Sequence, residues 1–214
     1  MPKKQSVIFV TLGSLLLLLA LLIVAHNEID SHKAGQSSAK LLDGIQTAIE
    51  KEKDKIKSNI TNPSGTIAED EVIETLDTTT PTISIEGYEY IGYISIPQLE
   101  LKLPVMSDWD YSSLKLAPGC QFGSSKTDDL VIMAHNYKTH FGYLHTLKIG
   151  DEISFTDMDG IENRYALSKM DTLPADAVDA VQNSGHDLVL YTCTPSGTNR
   201  LVAFCDRVQA ESND

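Results

Sequence analysis

The sequence predicts a mainly β domain, an antiparallel barrel or sandwich with short helices, carried behind an apolar N-terminal helix and a helical stalk. Three observations predict it. Short β-rich segments separated by turn formers fill residues 85–210. One stretch, residues 7–25, contains no charged residue. Helical periodicity of any length occurs only between the two.

The apolar stretch "VIFVTLGSLLLLLALLIVA" is about as long as a helix needs to cross a bilayer core. Lys3 and Lys4 precede it, and Glu28 and Asp30 follow. The positive-inside rule then places residues 1–6 in the cytoplasm and everything after residue 26 outside. The stretch exceeds a usual signal-peptide core and ends in no small-x-small cleavage site, so the reading is an uncleaved anchor rather than a cleaved signal peptide. In "AKLLDGIQTAIEKEKDKI", Leu42, Ile45, Ile49 and Ile56 fall near one helical face, with Gly44 a weak point. Turn formers, acids and threonines up to residue 84 then suggest a flexible linker. A chain starting near Thr80 is expected to fold, because the core strands begin later.

From Tyr88 the pattern is one of strands: "YIGYISI", then "LELKLPVM", in which Pro104 is expected to end regular pairing. "DDLVIMAH" is a short apolar run. "GDEISFTDMDGIENRYAL" is a hairpin turning at Asp159-Gly160, which explains "DMDG" better than a calcium loop does. "LPADAVDAVQNS" is a short helix or loop. The net charge of −13 argues against a nucleic-acid binder.

The last two strands lie in "LVLYTCTPSGTNRLVAFCDRV". With a turn centred on Ser196-Gly197, Cys193 stands directly across from Arg200, Cβ atoms about 4.5–5.5 Å apart. A guanidinium there favours thiolate and offers donors to an oxyanion. Cys205 then pairs with Leu188 and faces the other way. Of three cysteines one is left unpaired. Cys193 is that odd thiol, and Cys120 with Cys205 is the better candidate for any disulfide. A nucleophilic cysteine needs a base. His135 ends the apolar strand "LVIMA", where a sheet can aim it. The spacing of His135, His140 and His145, five apart with no CxxC or HExxH nearby, does not argue for zinc.

These segments together resemble the sortases, membrane-anchored cysteine transpeptidases of mainly Gram-positive bacteria. "IGYISIPQLELKLPV" is similar to the family's opening strands, "LVIMAHNY" to its histidine segment, and "LYTCTP" to its TLxTC strand end, with Val189 in place of the first Thr. Arg200 falls at the family's arginine position. "AHNY…HFG" is similar to the GHNM…F pattern of class B, but the stretch from Arg164 to Leu188 is short for the helix class B inserts, so the subclass stays unassigned. The resemblance implies a closed antiparallel or mixed β-barrel and no cofactor or metal. It implies that Cys193 attacks a sorting signal resembling LPxTG to form a thioacyl enzyme. His135 would protonate the leaving amine and help deprotonate the incoming one. Arg200 would bind the oxyanion or the substrate backbone. Thr192 shapes the pocket, and Asn136 joins it in binding substrate. Expected partners are surface proteins bearing the signal, an amine acceptor such as a cell-wall precursor or pilin subunit, and the membrane. The rival readings are an anchored thiol peptidase that gives its acyl group to water, and a non-catalytic surface-binding domain with structural cysteines.

Overall fold

The computed structural model describes residues 3–60 and 80–208. The expected linker over 61–79 lies outside them, as do residues 1–2 and 209–214. What the sequence divides into span and stalk is one helix, α1 (Lys3–Ile60). At 1.5 Å per residue it is roughly 87 Å long. Its large apolar side chains from Val7 to Val24 are all at least half exposed, so nothing in the described protein covers them. That stretch is long and apolar enough to cross a membrane.

Past it, α1 turns a buried stripe to the β domain: Ser31, Ala34, Ser38, Leu41, Ile45 and Ile49. The steps of three and four are those of one helix face. Leu41, not Leu42, takes the core position. Leu41, Ile45 and Ile49 pack with Tyr90, Met106, Ala117 and Met158. Gly44 is therefore a contact rather than a flaw: a Cβ there would sit 3.2 Å from Ile85 Cδ1. A chain starting near Thr80, expected from the sequence to fold, would lack this packing. Burying an Ile or Leu stabilises by about 1.5–3 kcal/mol, and three are lost. Such a chain should melt at least ~10 °C below one starting at Glu28, measured by thermal unfolding. Equal melting temperatures would show that the helix is only tethered.

The strands are β1 (Ile83–Ile85), β2 (Tyr88–Ile96), β3 (Leu101–Met106), β4 (Gly119–Phe122), β5 (Leu130–Met133), β6 (Glu152–Asp157), β7 (Glu162–Pro174), β8 (Leu188–Cys193) and β9 (Asn199–Arg207). A short helix, α2 (Val178–Gln182), precedes β8. β1 begins two residues ahead of the expected domain boundary. The sheet runs β2-β3-β4-β5-β8-β9-β7-β6 and closes because β6 also pairs with β2; β1 hangs on the edge of β2. The barrel is mixed, with β3–β4 and β5–β8 parallel. Pro104 does not end pairing: it stands opposite Tyr93 inside β3. It is tolerated because β4 meets β3 only at Met106, leaving an open edge for the missing donor.

Side chains alternate along each strand. Leu130, Ile132, Leu188 and Leu190 point into the barrel with Phe155 and Tyr165. Val131, Met133, Val189 and Tyr191 point outward into a second cluster with Leu114 and Val202. That outer face carries the site.

Candidate active site

β5 and β8 run parallel in the register Met133↔Tyr191. The pairing continues past the strand ends through Ala134 N–H donating to the Tyr191 carbonyl, 3.2 Å. The offset of 58 brings His135 level with Cys193. On the other side β9 pairs antiparallel, and Cys193 is registered with Arg200. His135, Cys193 and Arg200 thus occupy one row across three neighbouring strands. By alternation all three belong to the outer face, above Tyr191 and Met133. The register that the sequence suggests for the final hairpin is present, although the loop is longer than two residues. Thr194 N–H donates to the Asn199 carbonyl, 3.0 Å, and Gly197 N–H to the Thr194 carbonyl, 2.8 Å. A four-residue loop has the same centre as a two-residue one, so the pairing sum survives.

Thr192 is buried and its hydroxyl donates to the Ala134 carbonyl, 2.8 Å. It ties the end of β8 to the residue just before His135. Cys193 is half-buried and lines a groove of about 330 Å³. One wall is Thr192, Cys193, Thr194 and Leu201; the other is Asn136, Gly142 and His145. The expected binding residues, Thr192 and Asn136, both face this groove. From the sequence His145 stands out only as one of three evenly spaced histidines, and nothing distinguishes Leu201. A hollow of about 450 Å³ between Gly87 and Asp108–Asp110 contains neither a thiol nor an imidazole.

His135 is half-buried, and its Nε2 is buried without a hydrogen-bond partner. Orphaned buried nitrogens are rare and need a reason. Burial lowers the pKa of the ring, Lys115 adds to the effect, and a hydrogen bond to the Tyr111 backbone opposes it. The neutral ring is favoured. Arg200 turns toward the hairpin loop, where Nη1 donates to the carbonyls of Gly197 and Asn199, both 3.2 Å. Among the described residues its Nε and Nη2 make no hydrogen bond, leaving donors for a ligand.

All three cysteines are free. The Cys120–Cys205 disulfide that was the better candidate is absent: β4 and β9 are three strand spacings apart, roughly 14 Å, beyond the ~7 Å that a disulfide spans. Burial pushes the Cys120 thiol up to about 11 and the Cys205 thiol further in the same direction. Both are held as unreactive thiols.

The segment after His135 is braced by α1. Lys138 pairs with Glu28 at 2.7 Å. Thr139 Oγ1 donates to the Ser31 carbonyl at 2.7 Å. Ser38 Oγ donates to the Leu116 carbonyl, 2.6 Å, so it can only accept from His140 Nε2, 3.3 Å away. His140 is fully buried, with Nδ1 unpartnered. Burial, with the His135 charge adding to it, pushes its pKa down to about 4 from 6.5. Between those values the unfolded chain takes a proton that the folded chain refuses. Stability is therefore present above about pH 6.5 and lost as pH falls to about 4. The gap corresponds to about 3 kcal/mol. Denaturant titrations from pH 7 to 4.5 should show this slope in the wild type. His140→Gln, which keeps the donor to Ser38, should flatten it; an unchanged slope would assign the loss to other groups.

The comparisons with known proteins fall on this barrel and its strand ends. Residues 94–208, more than half of the chain, match the family model described as a sortase domain. Among solved structures, sortase C1 of Streptococcus suis is 26% identical, covers 59% of this chain and 77% of its own, and has a TM-score of 0.51. Sortase C1 of Streptococcus agalactiae is 23% identical over 82% of this chain and all of its own, TM-score 0.54. The sortase D5 transpeptidase of Clostridium perfringens is 15% identical over 81% and 99%, TM-score 0.59. The last two share the fold. No curated protein matches the chain. The class is that of the transpeptidase barrels. The chain belongs to the sortase family.

Proposed function

We propose that the chain is a membrane-anchored sortase that cuts a sorting signal resembling LPxTG and joins the freed carbonyl to an amine. The observation that carries this is the row His135–Cys193–Arg200 beside an open groove. Cys193 attacks the scissile backbone carbonyl. Arg200, using its free Nε and Nη2, donates to the oxyanion or to the neighbouring backbone. His135, through Nε2, protonates the leaving amine, and a thioester remains on Cys193. Burial favours the neutral imidazole of His135 over the imidazolium. The apolar part of α1 anchors the enzyme, with the N-terminus in the cytoplasm and the barrel outside. The donors are surface proteins bearing the signal, and the acceptor is a cell-wall precursor or a pilin amine.

Mass spectrometry of products from an LPxTG-type peptide library with several amines tests the reading. New amides are expected; hydrolysis products alone would favour a thiol peptidase, and no cleavage at all the binding domain. Arg200→Lys keeps charge but loses the planar fork. It should lower kcat/KM at least ~10-fold, since one oxyanion donor can be worth ~100-fold or more. Near wild-type turnover would remove Arg200 from the set.

A further inference from the structure

His135 has to hold one orientation and carry a proton for part of the cycle. No carboxylate is among the groups that act on its ring: burial and Lys115 disfavour the charged form, and a hydrogen bond to the Tyr111 backbone favours it. A base is ordinarily oriented by a third group. Here the neighbour on its face is an aromatic ring. Tyr137 is half-buried, its ring centroid 4.9 Å from that of His135 and the planes tilted by 37°. On from Tyr137 comes His140, 5.7 Å away at 48°. His140 is fully buried and bonded to Ser38 of α1, and Asp30 of α1 acts on the Tyr137 hydroxyl. Three rings thus run in file from α1 to the row of His135, Cys193 and Arg200. The titratable neighbours of His135 are Cys193 on β8, Lys115 and Tyr111 ahead of β4, and Tyr137 and His140 on its own segment. The backbone that presents Tyr137 is closed tightly. Its carbonyl accepts from the N–H groups of His140, 3.0 Å, and Gly142, 2.9 Å, and the His135 carbonyl accepts from Phe141 N–H, 3.1 Å. Gly142 permits this closure: a Cβ there would lie 2.6 Å from the Asn136 carbonyl oxygen and 2.7 Å from that of Tyr137.

Resting on the transpeptidase reading above, we propose that Tyr137 is a positioning residue for His135: its ring holds the imidazole level with Cys193 and lends its π-face to the protonated form. A cation against an aromatic face is attracted by the ring quadrupole, more strongly where water is excluded. The face thereby offsets part of what burial and Lys115 take from the imidazolium. His135 carries a proton in each half-reaction, before the leaving amine departs and after the entering amine attacks. One platform therefore serves both halves. No bond is made or broken at Tyr137, and its hydroxyl takes no part.

The test uses the full chain in detergent with 13C-labelled histidine. An NMR titration reads the His135 ring, assigned by the signal missing from His135→Gln. Turnover of an LPxTG peptide with triglycine reads kcat and KM. Tyr137→Leu keeps an apolar cover but has no π-face, and should lower the pKa of His135 by ~0.5 unit or more. Its kcat should fall at least ~10-fold, with KM within ~2-fold because Tyr137 does not line the groove. Tyr137→Phe should match the wild type in both readings. Pentafluorophenylalanine in place of Tyr137 nearly keeps the shape but reverses the quadrupole, and should lower the pKa as leucine does. That chain decides the matter even if Tyr137→Leu does not fold. A wild-type His135 pKa in the fluorinated chain overturns the proposal, and so does wild-type kcat in Tyr137→Leu. A Tyr137→Phe chain as impaired as Tyr137→Leu also overturns it, because the hydroxyl and not the face would then be acting. A wild-type chain that titrates normally but forms no thioester at Cys193 is a different failure: it sinks the transpeptidase reading, and this proposal with it.

Discussion

Cys193→Ala is expected to abolish transfer while leaving the melting temperature within ~2 °C of wild type. Removing one sulfur at a half-buried strand end leaves little cavity, and small cavities cost little. The same residue should be the one that a small alkylating reagent modifies. It borders the open groove, whereas burial holds Cys120 and Cys205 as protonated thiols. One adduct, mapped to Cys193, should coincide with complete loss of turnover. With a matching peptide, hydroxylamine should release a hydroxamate from the wild type and none from the variant. If Cys193 stays inert in the folded protein, or Cys193→Ala keeps its activity, the thioacyl mechanism is wrong.

The second large effect is at His135. His135→Ala should lower kcat by ~100-fold or more, the range of general acid catalysis. Cys193 should still alkylate at high pH, where the thiolate forms without help. The sign of the pH response follows from the lowered pKa of His135. The active pair needs the ring protonated and the thiol ionised. Burial lowers the ring, so the acid limb of kcat/KM reports His135. Lys115 is one cause of the lowering, so Lys115→Gln should move the acid limb to higher pH and raise the plateau. A limb that moves down, or a His135→Ala variant with full turnover, would take His135 out of the chemistry.

Much of this was legible in the sequence because it is local. A hairpin register depends only on where the turn is centred, and a centre between Ser196 and Gly197 fixes Cys193 against Arg200 for either loop length. The turn at Asp159-Gly160 and the apolar strands are local in the same way. The other half of the row is not: the level of His135 with Cys193 comes from a parallel pairing across 58 positions, set by barrel closure and not by any neighbouring residue. Gly44 looked like a defect because its reason, the Ile85 side chain, lies 41 positions away. Pro104 looked like a stop because nothing in the segment tells that β3 has an open edge there. His145 gave no signal beyond its spacing, since an exposed histidine becomes informative only once the groove around it exists.

The continuity of α1 has a mechanical meaning. Counting from residue 25 at 1.5 Å per residue, Ser31 stands roughly 9 Å and Ile49 roughly 36 Å beyond the apolar stretch. The barrel is clasped along that whole length, from the Glu28–Lys138 pair to Ile49. With the apolar part in a bilayer, the domain does not swing on a leash. Its altitude and azimuth are set by a stiff shaft, and the histidine-bearing segment is the part fastened nearest the lipid. A single residue added between Ala25 and Glu28 would lift the domain only ~1.5 Å but turn it by about 100°. Seven added residues would nearly restore the heading and raise it ~10 Å. Which membrane-borne chains the groove can meet is therefore a matter of helical phase as well as of reach.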